Sequence, residues 1–271
     1  MGSVSKGVEM LTSALQSGHW GIPGLWGVAS AVVLPLTMYR QGYSFSVGYG
    51  FSVFAMACAL YKVFGPSPLL SSVLFYGFRL GSFLLLRQIL SKSKAEQMKT
   101  FDKSPRLKRL PLAGSVALFY AFMVTPVLYA ARAGMPSDNN VLLAGTILSW
   151  TGASVEAIAD LHKLVRKQRS SSADSTFVGP TSGLYRLTRH PNYTGEVMFW
   201  LGLFISGVSF FGKSIEGWLC SGLGLYGIYG IMTNAAKRLD QRQKENYGGQ
   251  EKFDAWRSSV KAPLFPFVNV E

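Results

Sequence analysis

The stretch RHPNYTGE, residues 189–196, sets Arg189, His190, a proline and three hydrogen-bonding side chains, Asn192, Tyr193 and Glu196, at the edge of an apolar run. Pro191 pre-sets the backbone for a helix start, so Asn192, Tyr193 and Glu196 fall on the first turn. Arginines beside a helix N-terminus, here Arg186 and Arg189 with His190, suit an anion such as a phosphate. Amide and carboxylate groups one turn apart can then orient a base or a carboxamide deeper between helices. Capping and interfacial anchoring account for Pro191, Tyr193 and one arginine, but poorly for the whole cluster.

Two further features carry chemistry. In EAIADLHKLVRKQR, residues 156–169, Glu156, Asp160 and Lys163 stand at i, i+4 and i+7, one helical face. A solvated helix end explains Lys163 and Arg166 more readily than acids at a membrane edge. In FYGFRLGSF, Arg79 interrupts an apolar segment. A mid-span charge costs about 2.5–3.5 kcal/mol on insertion scales. Arg79 therefore faces a polar cavity, snorkels to the near interface, or pairs with an acid such as Glu156.

The elements that position these residues are membrane helices. Of 271 residues, 48% are hydrophobic and only 15% charged, and no Asp or Glu occurs between Glu9 and Glu96. A soluble domain averages about 25% charged residues. Apolar windows long enough to span a bilayer lie near residues 20–38, 44–64, 68–86, 111–131, 141–159, 195–212 and 217–236. The expectation is a single all-α membrane domain over 1–271, a bundle of about seven spans after a short N-terminal segment, 1–19. With seven spans, 22 of the 27 lysines and arginines fall on one face and four on the other. The positive-inside rule makes the basic face cytosolic and turns the N-terminus away from it.

That topology accounts for the net charge of +13 and removes the need for a nucleic-acid partner. Cys58 and Cys220 sit in apolar runs without metal-ligand spacing, so neither a disulfide framework nor a metal is expected. GLGLYG, residues 222–227, matches a dinucleotide-loop pattern but follows no strand, and its small residues suit close helix packing. The sequon at Asn192 lies on the non-luminal side. No secretory leader is expected at the N-terminus.

GLYRLTRHPNYTGEVMFWLG resembles the signature of the steroid 5-alpha-reductase-like membrane proteins, the DUF1295 group, which are similar in turn to sterol C14 reductases. YGFRLGSFLLLR, EAIADLHKL, KRLDQRQKENYG and FDAWRSSVKAPLFP look like that group's other motifs, so the resemblance spans roughly residues 70–268. It implies a seven-helix bundle that uses NADPH to reduce a carbon–carbon double bond in a lipid, a steroid-like or polyprenoid enone. On that resemblance Asp160, Asn192, Tyr193 and Glu196, with Glu156, Arg189 and His190, hold the cofactor. Lys167, Arg186, Lys237 and Arg238 contact its phosphates. Tyr76 polarises the substrate carbonyl beside Arg79. Membrane lipids surround the bundle, and the endoplasmic reticulum is its expected home, with a plastid membrane as the other. The chain departs from the steroid enzymes in lacking a second-span carboxylate to pair with that tyrosine, and in carrying Glu156 where they carry an amide. RHPxYxG is also shared by isoprenylcysteine and phospholipid methyltransferases, which use S-adenosylmethionine. A non-catalytic scaffold with a vestigial pocket is the third reading.

Overall fold

Apolar windows bounded by turn residues dictate helices, and helices are what the computed structural model contains. It describes residues 2–91, 96, 98–102, 104–168 and 176–265, among which no strand occurs. Among the described residues the bounded α-helices run in order: α1 Gly2–Gln16, α2 Gly21–Tyr39, α3 Val47–Phe64, α4 Pro68–Leu90, α5 Leu110–Arg132, α6 Asn140–Gln168, α7 Pro191–Phe211, α8 Ile215–Tyr247 and α9 Glu251–Ser259. Short 3-10 turns at Gln41–Phe45, Arg106–Arg109 and Gly183–Arg186 lead into α3, α5 and the loop before α7.

Six of these, α2 to α7, are long and apolar enough to cross a bilayer, and the chain is an integral membrane protein. The seventh expected window, 217–236, forms the first part of α8. There five glycines together with Trp218, Tyr226 and Tyr229 dilute the hydropathy, and the helix runs on into the polar KRLDQRQKEN. The N-terminal segment, read as a short lead-in, is helical. Its C-terminal carbonyls are capped by Arg132, which donates to Ala14, Leu15 and Gly18 at 2.9–3.2 Å.

Local chemistry sets the boundaries. Gly65 ends α3 at φ +82, a conformation that favours glycine. Ser67 then accepts from the Leu70 amide at 3.1 Å, with Pro68 at the first helical position. Asn139 caps α6 through the Leu142 amide at 2.9 Å. Pro126 lies inside α5 without breaking it.

Packing divides the chain into two compact units, Met1–Ile147 with Gly202–Leu225, and Leu148–Leu201 with Tyr226–Glu271. In the first, α2 lies against α3 and α5, and α3 against α4. The α3–α4 crossing is made by backbone: a β-carbon on Gly77 would lie 2.5 Å from the Phe54 nitrogen and 2.9 Å from the Gly50 oxygen, while one on Gly50 would strike Gly81. At the edge of this unit buried Arg109 pairs with Asp102 at 3.1 Å and reaches the Thr37 carbonyl at 3.3 Å, and Asp102 also accepts from the Gln41 amide at 2.7 Å. The second unit closes around Ala159, Phe177, Tyr185, Phe253, Trp256 and Val260.

Small residues let membrane helices approach closely where no hydrophobic drive separates helix from lipid. Gly50→Val is therefore expected to destabilise the protein by about 3 kcal/mol or more. Gly222→Val, with open space around it, is expected to melt like the wild type in detergent. Equal melting temperatures for the two variants would refute the crossing.

Candidate functional site

The second unit gathers the polar residues of the signature. Helices α6 and α7 meet at Gly152 and Gly195: a β-carbon on Gly195 would lie 2.6 Å from both the Gly152 oxygen and the Glu156 nitrogen. Glu156 and Glu196 therefore leave the backbone beside the crossing. Both are buried, at 2% and 6% exposure, and Asp160, one turn along α6, is buried too. Asn192 and Tyr193 are half-buried on the first turn of α7, as Pro191 at the helix start requires.

The cations expected to contact phosphates lie in the same unit. Lys167, Arg186, Lys237 and Arg238 are exposed and Lys163 is half-buried. Lys167 ends α6, Arg186 closes the 3-10 turn, and Lys237 and Arg238 lie on the polar half of α8.

Arg189 and His190 are used differently. The Arg189 guanidinium grips Asp240 through Nε at 3.0 and 3.1 Å and Nη2 at 2.5 Å, and donates through Nη1 to the Val260 and Lys261 carbonyls at 2.9 and 2.6 Å. His190 Nε2 meets the same carboxylate at 2.7 Å. The amides of Arg189 and His190 donate to the Ala262 and Pro263 carbonyls at 2.9 and 3.0 Å, and the Thr194 hydroxyl donates to Leu264. Three residues of RHPNYTGE, Arg189, His190 and Thr194, thus strap the start of α7 to the segment after α9. Arg257 adds a second cation 3.6 Å from Asp240.

Electrostatics follow from this geometry. Burial alone would raise the Asp240 carboxyl, but the His190 and Arg189 hydrogen bonds outweigh it and hold the group well below the usual carboxylate range. Burial lowers His190: the carboxylate beside it is already neutralised by Arg189, so loss of water dominates. Neutral His190 then donates from Nε2. Tyr185 is pushed above the ordinary phenol range by burial, with Asp160 nearby. Its hydroxyl donates to the Ala159 carbonyl at 3.1 Å, and its own carbonyl accepts from Trp256 Nε1 at 2.9 Å, which pins the loop before α7 to α6 and α9.

Tyr76 and Arg79 belong to the first unit. Tyr76 is fully buried on α4, and the Arg79 guanidinium stands 5.6 Å from its ring centre. Tyr76 Oη lies 3.1 Å from Tyr49 Oη, and Tyr49 stacks on Tyr120 at 5.0 Å. The sequence reading missed Asp240, Tyr49 and Tyr185. A tyrosine between two glycines inside a span, GYG at 48–50, was the signal for Tyr49, and a lone acid among the cations of AAKRLDQR for Asp240.

A family model described as "Protein of unknown function (DUF1295)" matches residues 43–260. No curated protein and no solved structure matches the chain.

Acid is expected to loosen the strap. Below the ordinary 6.5 of histidine the unfolded chain takes up a proton that buried His190 resists, and below 3.8 it takes up a second that Asp240 resists. Both favour the unfolded state as pH falls. Melting temperature should decline from pH 7 to pH 5 and more steeply below pH 4. Asp240→Asn, which strands Arg189, should cost about 3–5 kcal/mol and flatten the acid limb. A melting curve insensitive to pH in both proteins would contradict this.

Proposed function

The chain belongs to the DUF1295 family, and on that premise we propose that it reduces a carbon–carbon double bond conjugated to a carbonyl in a membrane lipid, with NADPH as the electron donor. What supports the reading is the set of buried acids, Glu156, Asp160 and Glu196, at and near the Gly152–Gly195 crossing, in the unit that also carries exposed Lys167, Arg186, Lys237 and Arg238. The donor set fits the cofactor. A carboxamide needs acceptors and an amide partner, which Glu156, Asp160, Glu196 and Asn192 offer, and Tyr193 adds a hydroxyl and a ring. The phosphates need mobile cations, which Lys167, Arg186, Lys237 and Arg238 offer. S-adenosylmethionine carries no phosphate and makes no use of those cations.

Asp160, Asn192, Tyr193 and Glu196 would hold the cofactor, whose chemistry when bound would be hydride donation to the β-carbon of the enone. The chain's own work is electrostatic and positional. Tyr76 holds a proton on Oη that can be shared with the substrate carbonyl oxygen, where negative charge gathers. Arg79, against the Tyr76 ring, stabilises that charge. Arg189 and His190 act behind the site, holding the first turn of α7 in place so that Asn192, Tyr193 and Glu196 keep their positions. The substrate is steroid-like or polyprenoid, and the endoplasmic reticulum is the membrane this reading assigns, ahead of a plastid membrane.

Thermal shift on purified protein with NADPH, NADH and S-adenosylmethionine tests the proposal. NADPH alone is expected to stabilise, by about 2.7 kcal/mol at a hundredfold excess over Kd, and Asn192→Ala and Glu196→Ala should abolish the shift while retaining the unliganded melting temperature. Stabilisation by S-adenosylmethionine instead would assign a methyltransferase. A flat response to all three would assign a scaffold.

A further inference from the structure

We propose that the outer face of α6 binds an anionic phospholipid, with one acyl chain in the groove beside Ser154 and the phosphate at His162 and Arg166, at the basic end of the span. The site uses none of the residues assigned to cofactor or substrate, and so goes beyond the reductase reading.

The groove has a volume of about 400 Å³ and is lined by Trp150, Thr151, Ser154, Val155, Ile158 and Leu184. Sites that take small molecules run to roughly 300–1,000 Å³. Thr151, Ser154 and Ile158 are exposed on a helix long and apolar enough to cross a bilayer, so the medium that reaches them is hydrocarbon. Small Thr151 and Ser154 lie among bulkier neighbours, which leaves room for a chain along the helix. The wall contributed by Leu184 is fixed on both sides. Before it, Gly183 lies against His162, with a β-carbon there 3.8 Å from the imidazole; after it, the Tyr185 hydroxyl donates to the Ala159 carbonyl at 3.1 Å. Trp256 Nε1 donates to the Tyr185 carbonyl at 2.9 Å. A chain that enters the groove therefore does not have to order the protein first.

Charge selects the occupant. One turn beyond Ile158 comes His162, its ring edge-on to Tyr185 at 5.8 Å, and one turn further comes exposed Arg166. The rise from Ile158 to Arg166 is about 12 Å, so a lipid lying along the groove brings its head group to these side chains. Imidazole donates from a ring nitrogen in either protonation state, and a guanidinium meets phosphate through two parallel bonds. The acids of this helix, Glu156 and Asp160, are buried, whereas Arg166 and Lys167 are exposed. A second copy packed on the groove in the same orientation would set its own Arg166 and Lys167 against these, like charge against like. A zwitterionic lipid brings a competing ammonium. An anionic phospholipid brings phosphate on an apolar chain, and basic clusters at the ends of membrane helices recognise such head groups.

Native mass spectrometry of the full chain in detergent micelles tests this with three probes: dioleoyl phosphatidylglycerol, dioleoyl phosphatidylcholine and glycerol 3-phosphate. One phosphatidylglycerol is expected to remain bound, phosphatidylcholine to bind about fivefold more weakly or worse, and glycerol 3-phosphate not to be retained. Arg166→Ala should weaken phosphatidylglycerol about fivefold, through the loss of one basic contact. Ser154→Trp, which fills the groove, should weaken it about tenfold or more. Both side chains are exposed, so both variants should keep the lipid-free melting temperature. Phosphatidylglycerol with a diazirine at the end of one chain, added at one equivalent, should cross-link within residues 150–158 of the wild type. Equal binding of the two lipids would reduce the groove to ordinary lipid contact and overturn the site. Weakening by Arg166→Ala but not by Ser154→Trp would leave charge alone and overturn it too, as would cross-links confined to other helices. A dimer that Ser154→Trp dissociates would assign the groove to a second copy instead.

Discussion

Backbone-to-backbone contact at glycine is the constraint on which the two candidate centres depend. In lipid, apolar side chains gain little by leaving their neighbours for one another, so helices must gain by close approach. Gly50 and Gly77 do this in the first unit, Gly152 and Gly195 in the second. Each crossing sits one residue, or one turn, from buried polar side chains: Tyr49 and Tyr76 in one, Glu156 and Glu196 in the other. Fixed backbone separation gives a precision that flexible contacts between long side chains do not.

The signature stretch then divides by role. Arg189, His190 and Thr194 are directed at Asp240 and at the carbonyls of residues 260–264, while Asn192, Tyr193 and Glu196 remain on the helix face beside the crossing. A bidentate arginine meets a carboxylate in one plane only, and its remaining donors meet two successive carbonyls, so a single residue fixes both position and angle of the following segment. The charge at the membrane edge is thus a fastener.

Much of this was legible in the sequence. Helix positions followed from hydropathy, and Pro191 marked the residue at which α7 begins. What was not legible was of two kinds. The seventh span blurred because glycines and tyrosines in α8 are neither clearly apolar nor clearly polar. Pairings distant along the chain, Arg189 with Asp240 and Tyr49 with Tyr76, left no trace in local spacing, since 51 and 27 residues separate the partners. The helix of the N-terminal segment was missed for a related reason: its carbonyls are capped by an arginine more than a hundred residues away.

The strap also has a consequence for the order of events during synthesis. The carbonyls that receive the Arg189 side chain and the amides of residues 189 and 190 belong to residues 260–263. Until the ribosome has passed them, α7 can enter the bilayer but its N-terminal loop has no partner for those donors. Insertion of the spans and completion of the second unit are therefore separate steps, and the polar cluster beside α7 takes its final shape only in the second.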